Sequence, residues 1–136
     1  MKKKICLVVA NYYPSISNDL IKGALKVLKF YGQKNYTVLK VPGVFELPFV
    51  ILKNINKYDG FIALGCVIKG QTPHFEFISK TTINAIMDLS IRHKKPIGNG
   101  IIASLNMKQA MERAAPNKKN KGGEAVSAVL DTLKNF

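Results

Sequence analysis

Arginine, acidic residues and cysteine are scarce in this 136-residue chain, and it has no long apolar run. No stretch approaches the roughly 20 apolar residues of a transmembrane helix, so we expect no membrane span. The apolar run at 5–10 is short for a signal peptide and no cleavage site follows it, which favours a first β-strand in a cytoplasmic protein. Cys6 and Cys66 both lie in apolar segments, which indicates buried thiols rather than a disulfide framework or a metal site.

The charge is one-sided, with 21 basic against 8 acidic side chains and a net charge of +13. Only Arg92 and Arg113 are arginines, and the lysines are scattered along the whole chain. Nucleic-acid readers favour arginine forks or clustered basic stripes. We therefore interpret the lysines as a solvated surface that attracts anionic substrates, and nucleic-acid binding stays only as an alternative.

Strand and helix patterns alternate along one predicted α/β domain, residues 1–136. Apolar runs rich in β-branched residues predict strands at 4–10, 36–41, 61–67 and 96–103. Helical spacing predicts helices from Asp19 to about residue 31, with N-cap candidates at 15–18, and at 45–54, 74–93 and 124–133. Another helix follows Asn106, with Met107, Ala110, Met111 and Ala114 on one apolar stripe. Since no hairpin signal occurs, we predict a four-stranded parallel sheet in a three-layer α/β/α sandwich.

Unusual residues follow three of the predicted strands. Tyr12 and Tyr13 follow the first, Glu46 the second and His74 the third. Carboxyl ends of parallel strands face the ligand crevice, so an aromatic ring, a carboxylate and an imidazole are expected to converge there. Taken singly, a turn tyrosine usually packs, and a glutamate near a helix start usually favours the helix dipole.

A separate anion site is predicted near the end of the chain. Arg113 lies near a helix end, and Asn120-Lys-Gly-Gly-Glu124 leads into the next helix, whose first backbone amides can bind an anion. The alternative is a surface ion pair between Arg113 and Glu112 or Asp131. Spacing alone does not separate these two interpretations.

Four segments together resemble the 6,7-dimethyl-8-ribityllumazine synthase family. They are 41–48 (VPGVFELP), 64–74 (LGCVIKGQTPH), 106–114 (NMKQAMERA) and 120–122 (NKG). The resemblance implies a flavodoxin-like fold and condensation of 5-amino-6-(D-ribitylamino)uracil with 3,4-dihydroxy-2-butanone 4-phosphate, a step of riboflavin biosynthesis. It implies no cofactor or metal, and a homo-oligomer with sites between adjacent subunits. Because the chain opens at its first core strand, a pentamer is favoured over a sixty-subunit capsid. Riboflavin synthase is a further partner that the resemblance suggests.

The resemblance also implies roles for individual residues. His74 matches the acid/base residue. The residues that match the family's binding positions for the ribitylaminouracil are Tyr12, Val44, Phe45, Glu46, Cys66, Val67, Ile68 and Asn99. The matches for the butanone phosphate are Gln71, Thr72 and Arg113, with Lys121 as phosphate support. Asn99 and Arg113 are expected to come from the neighbouring subunit.

The sequence departs from the family pattern at two positions. Asn99 stands where the family usually has a phenylalanine that covers the substrate ring, so weaker stacking is expected. Asn117 stands where many members have a lysine, with Lys118, Lys119 and Lys121 nearby. The alternative function is a lumazine- or flavin-binding module that has lost catalysis, but such a module needs no phosphate clamp.

Overall fold

Strands and helices alternate up to β4 in the computed structural model, which describes residues 2–71 and 74–136, and two helices follow β4. The elements are β1 (Ile5–Ala10), α1 (Pro14–Phe30), β2 (Tyr36–Val41), a 3-10 helix (Val44–Glu46), α2 (Leu47–Lys53), β3 (Gly60–Ile68), α3 (Phe75–His93), β4 (Ile97–Ser104), α4 (Met107–Ala114) and α5 (Lys121–Asn135). Within the described residues, no helix combines the length and the apolar character that a membrane crossing requires.

The four strands form one parallel sheet in the order β2-β1-β3-β4, which confirms the predicted sheet. The chain moves from β1 to β2 on one side and then crosses to β3 on the other side of β1. This reversal opens a crevice beyond the carboxyl ends of β1 and β3, where open α/β sheets bind their ligands.

Alternate strand residues face two hydrophobic layers. Leu7, Val9 and Leu64 pack with α1, α4 and α5, while Val8 and Ala63 pack with α2 and α3. Both faces of the sheet are therefore covered, which explains why β1 and β3 are apolar without alternation. The three-layer α/β/α arrangement of the flavodoxin-like fold is confirmed.

The glycines of β4 allow α5 to pack closely on the sheet. A Cβ atom at Gly98 would lie 2.5 Å from the carbonyl oxygen of Ala125 in α5. A Cβ atom at Gly100 would lie 2.9 Å from the carbonyl oxygen of Ala63 in β3. Since both neighbours are backbone atoms, any larger side chain would push the helix or the neighbouring strand away.

Two predicted helix starts and one predicted core residue were wrong. Helix α1 begins at Pro14, not near Asp19, because proline suits the first helical position, and the cap candidates at 15–18 lie inside the helix. Helix α5 begins at Lys121, not Glu124, because the Asn120 side chain accepts a hydrogen bond from the backbone N–H of Gly123. Met111 is 54% exposed and lies off the buried stripe of α4.

Single residues mark the starts of α4 and α2. Asn106 caps α4, since its side chain accepts a hydrogen bond from the backbone N–H of Gln109. Pro48 lies in the first turn of α2, where its missing N–H removes no helical hydrogen bond.

Candidate functional site

A crevice of about 300 Å³ opens beyond the carboxyl ends of β1 and β3. It is lined by Tyr12, Pro42, Gly43, Val44, Phe45, Glu46, Cys66, Val67 and Ile78. Six of the predicted site residues therefore converge here, four from the connections after β1 and β2 and two from the end of β3. The lining is mostly apolar, with one carboxylate, which suits a flat ligand that carries a few hydrogen-bonding groups.

Gly65 brings the wall of the crevice against β3. A Cβ atom at this position would lie 2.8 Å from Cγ2 of Val44 and 3.0 Å from Cβ of Ala10. Only glycine lets the 3-10 helix sit directly on the strand, with Val44 buried and Phe45 projecting outward. The backbone N–H of Glu46 donates to the carbonyl of Gly43 (3.2 Å), which closes this turn.

Two aromatic rings are presented at the crevice without being buried. Tyr12 is 59% exposed and Phe45 is 60% exposed. Tyr12 also meets the ring of Tyr13 edge-on, with centroids 4.9 Å apart, and this contact limits its orientations. Large exposed rings beside a crevice leave apolar surface that a planar ligand covers by stacking.

The end of β3 is buried at the base of the crevice. Cys66 and Val67 belong to the lining and are 6% and 2% exposed, and Ile68 is fully buried. Burial raises the pKa of the Cys66 thiol to about 12, although a hydrogen bond with Ser104 and the charge of Arg113 act in the opposite direction. Cys66 is therefore a neutral thiol at physiological pH and not a nucleophile.

Gln71 and His74 lie in the connection after β3, and the described lining of the crevice does not include them. The backbone N–H of Gln71 donates to the carbonyl of Ile68 (3.3 Å), and the carbonyl of His74 accepts from Ile78 N–H (2.9 Å). His74 has a left-handed backbone (φ 60°), which is uncommon outside glycine, and its side chain is exposed. Thr72, the remaining predicted residue of this segment, lies outside the described residues.

Asn99 and Arg113 do not line the crevice of their own chain. Asn99 is exposed on the edge strand β4, beside a small pocket with Ile86 and Met87, and its side-chain oxygen accepts from Ile101 N–H. Arg113 donates from Nη1 to the carbonyl of Ala103 (2.9 Å) at the end of β4.

The described structure therefore places Arg113 on a backbone carbonyl and not in the ion pair with Glu112 or Asp131 that spacing left open. The Lys121 ammonium contacts Glu124 (3.4 Å), and the backbone N–H groups of Gly123 and Glu124 in the first turn of α5 donate to the side chain and the carbonyl of Asn120.

Comparison with known proteins decides between the functions that the sequence left open. The sequence model of the family described as 6,7-dimethyl-8-ribityllumazine synthase matches residues 2–136. A 6,7-dimethyl-8-ribityllumazine synthase of Bartonella tribocorum is 43% identical over 135 residues, which are 96% of this chain and 89% of the relative. One from Blochmanniella pennsylvanica is 42% identical over 137 residues (97% and 87%), and one from Nitratidesulfovibrio vulgaris (strain DP4) is 39% identical over 135 residues (96% and 86%).

The chain belongs to the 6,7-dimethyl-8-ribityllumazine synthase family. As a member of this family it is a transferase of riboflavin biosynthesis. It condenses 5-amino-6-(D-ribitylamino)uracil with 3,4-dihydroxy-2-butanone 4-phosphate to 6,7-dimethyl-8-ribityllumazine and releases phosphate and water. Neither the described structure nor the relatives favour the non-catalytic alternative.

Ile78 lines the crevice but was not predicted as a site residue. It packs against the core and also reaches the crevice from the first turn of α3. Pro42 and Gly43 belong to the 41–48 segment that carries the family resemblance, but no ligand contact was assigned to them. Their position between two apolar segments at a carboxyl strand end is the signal that would have identified them.

Proposed function

We propose that the crevice beyond β1 and β3 binds the ribitylaminouracil. Tyr12 and Phe45 supply stacking surface for the pyrimidine ring, and the backbone of 66–68 meets the ring edge. The Glu46 carboxylate accepts hydrogen bonds from the ribityl hydroxyls. The observation that carries this assignment is the convergence of Tyr12, Phe45 and Glu46 on one cavity with Cys66 and Val67 at the end of β3.

The butanone phosphate is assigned to the connection after β3 and to Arg113. Gln71 and Thr72 contact the carbon chain of the butanone phosphate, and Arg113 holds the phosphate. Lys121 is a weaker candidate for the phosphate because it is paired with Glu124. A guanidinium binds a phosphate through two parallel charge-assisted hydrogen bonds. It also stabilises the anion as phosphate departs.

His74 is assigned the proton transfers. The amine of the pyrimidine attacks the butanone carbonyl, and loss of water from the resulting carbinolamine requires a proton on the departing oxygen. Ring closure by the second nitrogen requires another transfer. An imidazole moves protons in both directions near neutral pH, and the carbonyl of His74 accepts a hydrogen bond from the backbone N–H of Ile78, which lines the crevice.

The complete site is proposed to lie between adjacent subunits. Asn99 and Arg113 stand apart from the crevice of their own chain, so a neighbour is needed to bring them to the substrates. Large exposed apolar side chains, Phe49, Phe77 and Ile91, offer surface for such contacts. We propose a pentamer in the cytoplasm that supplies its lumazine to riboflavin synthase, and native mass spectrometry of the purified protein measures the subunit number.

Steady-state kinetics with both substrates test the residue assignments. Arg113→Ala is expected to raise KM for the butanone phosphate by between about 10- and 100-fold, because a charge-assisted contact is lost. KM for the ribitylaminouracil should change little. An unchanged KM for the butanone phosphate would remove Arg113 from the phosphate site.

His74→Ala is expected to lower kcat about ten-fold, because holding the two substrates together still accelerates the reaction and water can replace an exposed imidazole. Added imidazole should restore part of the loss. A wild-type rate without imidazole would remove the assigned proton-transfer role.

A further inference from the structure

The turn between β4 and α4 is closed by a reciprocal pair of side-chain hydrogen bonds. Asn106 Oδ1 accepts from the backbone N–H of Gln109 (2.9 Å), and Gln109 Oε1 accepts from the backbone N–H of Leu105 (3.0 Å). The buried Ser104 hydroxyl donates to the carbonyl of Asn106 (3.1 Å). This arrangement is a variant of the capping box, because the Gln109 side chain binds the amide of Leu105, the residue before the cap, and not the amide of Asn106 itself.

Arg113 lies one turn beyond Gln109 on the same face of α4. Helical side chains lean toward the N-terminus of their helix, so the guanidinium of Arg113 reaches back to the end of β4. There its Nη1 donates to the carbonyl of Ala103 (2.9 Å), immediately before the segment that the Gln109 box closes. The position of the guanidinium therefore depends on the geometry of this turn.

The cap matters because α4 is short. It has only eight residues, Met107–Ala114, and isolated helices of this length are not stable in water. Ala110 and Ala114 anchor one face in the core, and Met107 packs against it. The hydrogen bonds of Asn106 and Gln109 add directional contacts at the point where α4 leaves the sheet.

We propose that Gln109 is a positioning residue for Arg113. Its side-chain oxygen holds the Leu105 amide, which keeps the Ala103 carbonyl and the Arg113 guanidinium aligned for the phosphate of the butanone substrate. This inference rests on the proposed phosphate contact of Arg113. It adds a residue whose amide touches no substrate but sets the affinity for one of the two substrates.

The test compares Gln109→Met with the wild-type enzyme, because methionine keeps the length of the side chain and removes the acceptor. We expect KM for the butanone phosphate and the inhibition constant of inorganic phosphate to rise together by about five-fold, the effect of one lost hydrogen bond. KM for the ribitylaminouracil should stay unchanged, whereas a merely unstable enzyme would lose active fraction without this split. Met111→Ala, an exposed change on the same helix, is the control and should leave all three constants unchanged.

A second pair of variants repeats the test at the other end of the box. Asn106→Asp keeps the acceptor and should behave as wild type, and Asn106→Ala should reproduce the effect of Gln109→Met. In an Arg113→Ala background, Gln109→Met should raise KM for the butanone phosphate no further, because the two changes act on one contact.

If Arg113→Ala raises that KM but the changes at Gln109 and Asn106 do not, the positioning role is overturned and the phosphate contact stands. If Arg113→Ala leaves it unchanged, both proposals fail.

Discussion

Hydrogen bonding at single side chains separates the structural polar residues of this protein from the functional ones. Ser17 is buried and donates to the carbonyls of Ala10 and Tyr13, so it ties α1 to the end of β1. By contrast, Arg113 is exposed. One of its N–H groups donates to the carbonyl of Ala103, and the guanidinium has further N–H groups. A polar group whose hydrogen bonds are all made inside the fold stabilises the fold. An exposed group that makes only one internal hydrogen bond remains able to bind a ligand.

Thr82 is the buried polar side chain that lacks a hydrogen-bond partner among the described residues. It is 1% exposed on the inner face of α3. Thr82→Val keeps the shape and removes the unsatisfied hydroxyl, so we expect the free energy of unfolding to rise by about 1 kcal/mol. Urea denaturation at neutral pH measures the change.

Thr132→Val is the matched control. Thr132 is also helical, but it is exposed and its hydroxyl donates to the carbonyl of Ala128 (2.7 Å). Thr132→Val changes the helix propensity in the same way but removes no buried, unpaired hydroxyl, so no stabilisation is expected. Equal effects at the two positions would show that the Thr82 hydroxyl has a partner in solution.

Individual site residues could be predicted from the sequence only when several segments were considered together. His74 alone has many structural explanations, whereas the combination of Phe45, Glu46, His74 and Arg113 in order pointed to one family. The contact of Arg113 with Ala103 could not be predicted, because it depends on how far α4 turns back over β4. Gln109 was not identified for the same reason.

At the scale of elements, strand boundaries were predicted to within one residue because runs such as 5–10 and 36–41 are apolar or β-branched and end at turn residues. Helix starts were less predictable. Helix α1 has no side-chain cap. Helix α5 begins after Asn120, which has a left-handed backbone (φ 47°) and a side chain that lies against Gly23 of α1. Local sequence contains little information about such contacts.

Gly65 links two elements, and its replacement tests how the crevice is built. In Gly65→Ala the new methyl group would meet Val44 and Ala10, neither of which has a flexible end that can move away. We expect a loss of about 1–3 kcal/mol in the free energy of unfolding, together with a higher KM for the ribitylaminouracil. Thermal unfolding and steady-state kinetics measure the two effects.

Gly32→Ala is a useful comparison for this change. Gly32 has a positive φ (71°) but nothing within 4 Å of its missing side chain. It should cost stability through the backbone alone and leave the KM for the ribitylaminouracil unchanged. If Gly65→Ala also left that KM unchanged, the 3-10 helix would not form part of the pyrimidine site.

At the scale of the whole molecule, the two buried thiols make stability depend on alkaline pH. Burial raises the pKa of Cys6 and of Cys66 from 9.0 to about 12. Below pH 9 both thiols are protonated in the folded and the unfolded chain, so their contribution is fully present. Between pH 9 and 12 only the unfolded chain loses these protons, and stability should fall by up to about 1.4 kcal/mol per pH unit for each thiol.

Denaturation curves between pH 8 and 11 measure the slope of the free energy of unfolding against pH. Because lysines and tyrosines titrate in the same range, a variant with both Cys6→Ala and Cys66→Ala is the control. The variant should lose stability less steeply above pH 9. Identical slopes would mean that the thiols ionise as readily in the folded protein as in the unfolded chain.

Subunit mixing tests the central proposal, that each active site is shared by two chains. Arg113→Ala damages one side of the interface and Phe45→Ala the other, and each enzyme alone should be nearly inactive at substrate concentrations near the wild-type KM. When the two are unfolded together and refolded, random assembly should rebuild about a quarter of the sites with both residues intact. The account predicts lumazine formation at about a quarter of the wild-type rate. A mixture no more active than the average of its two parents would contradict it, because the site would then lie within one chain.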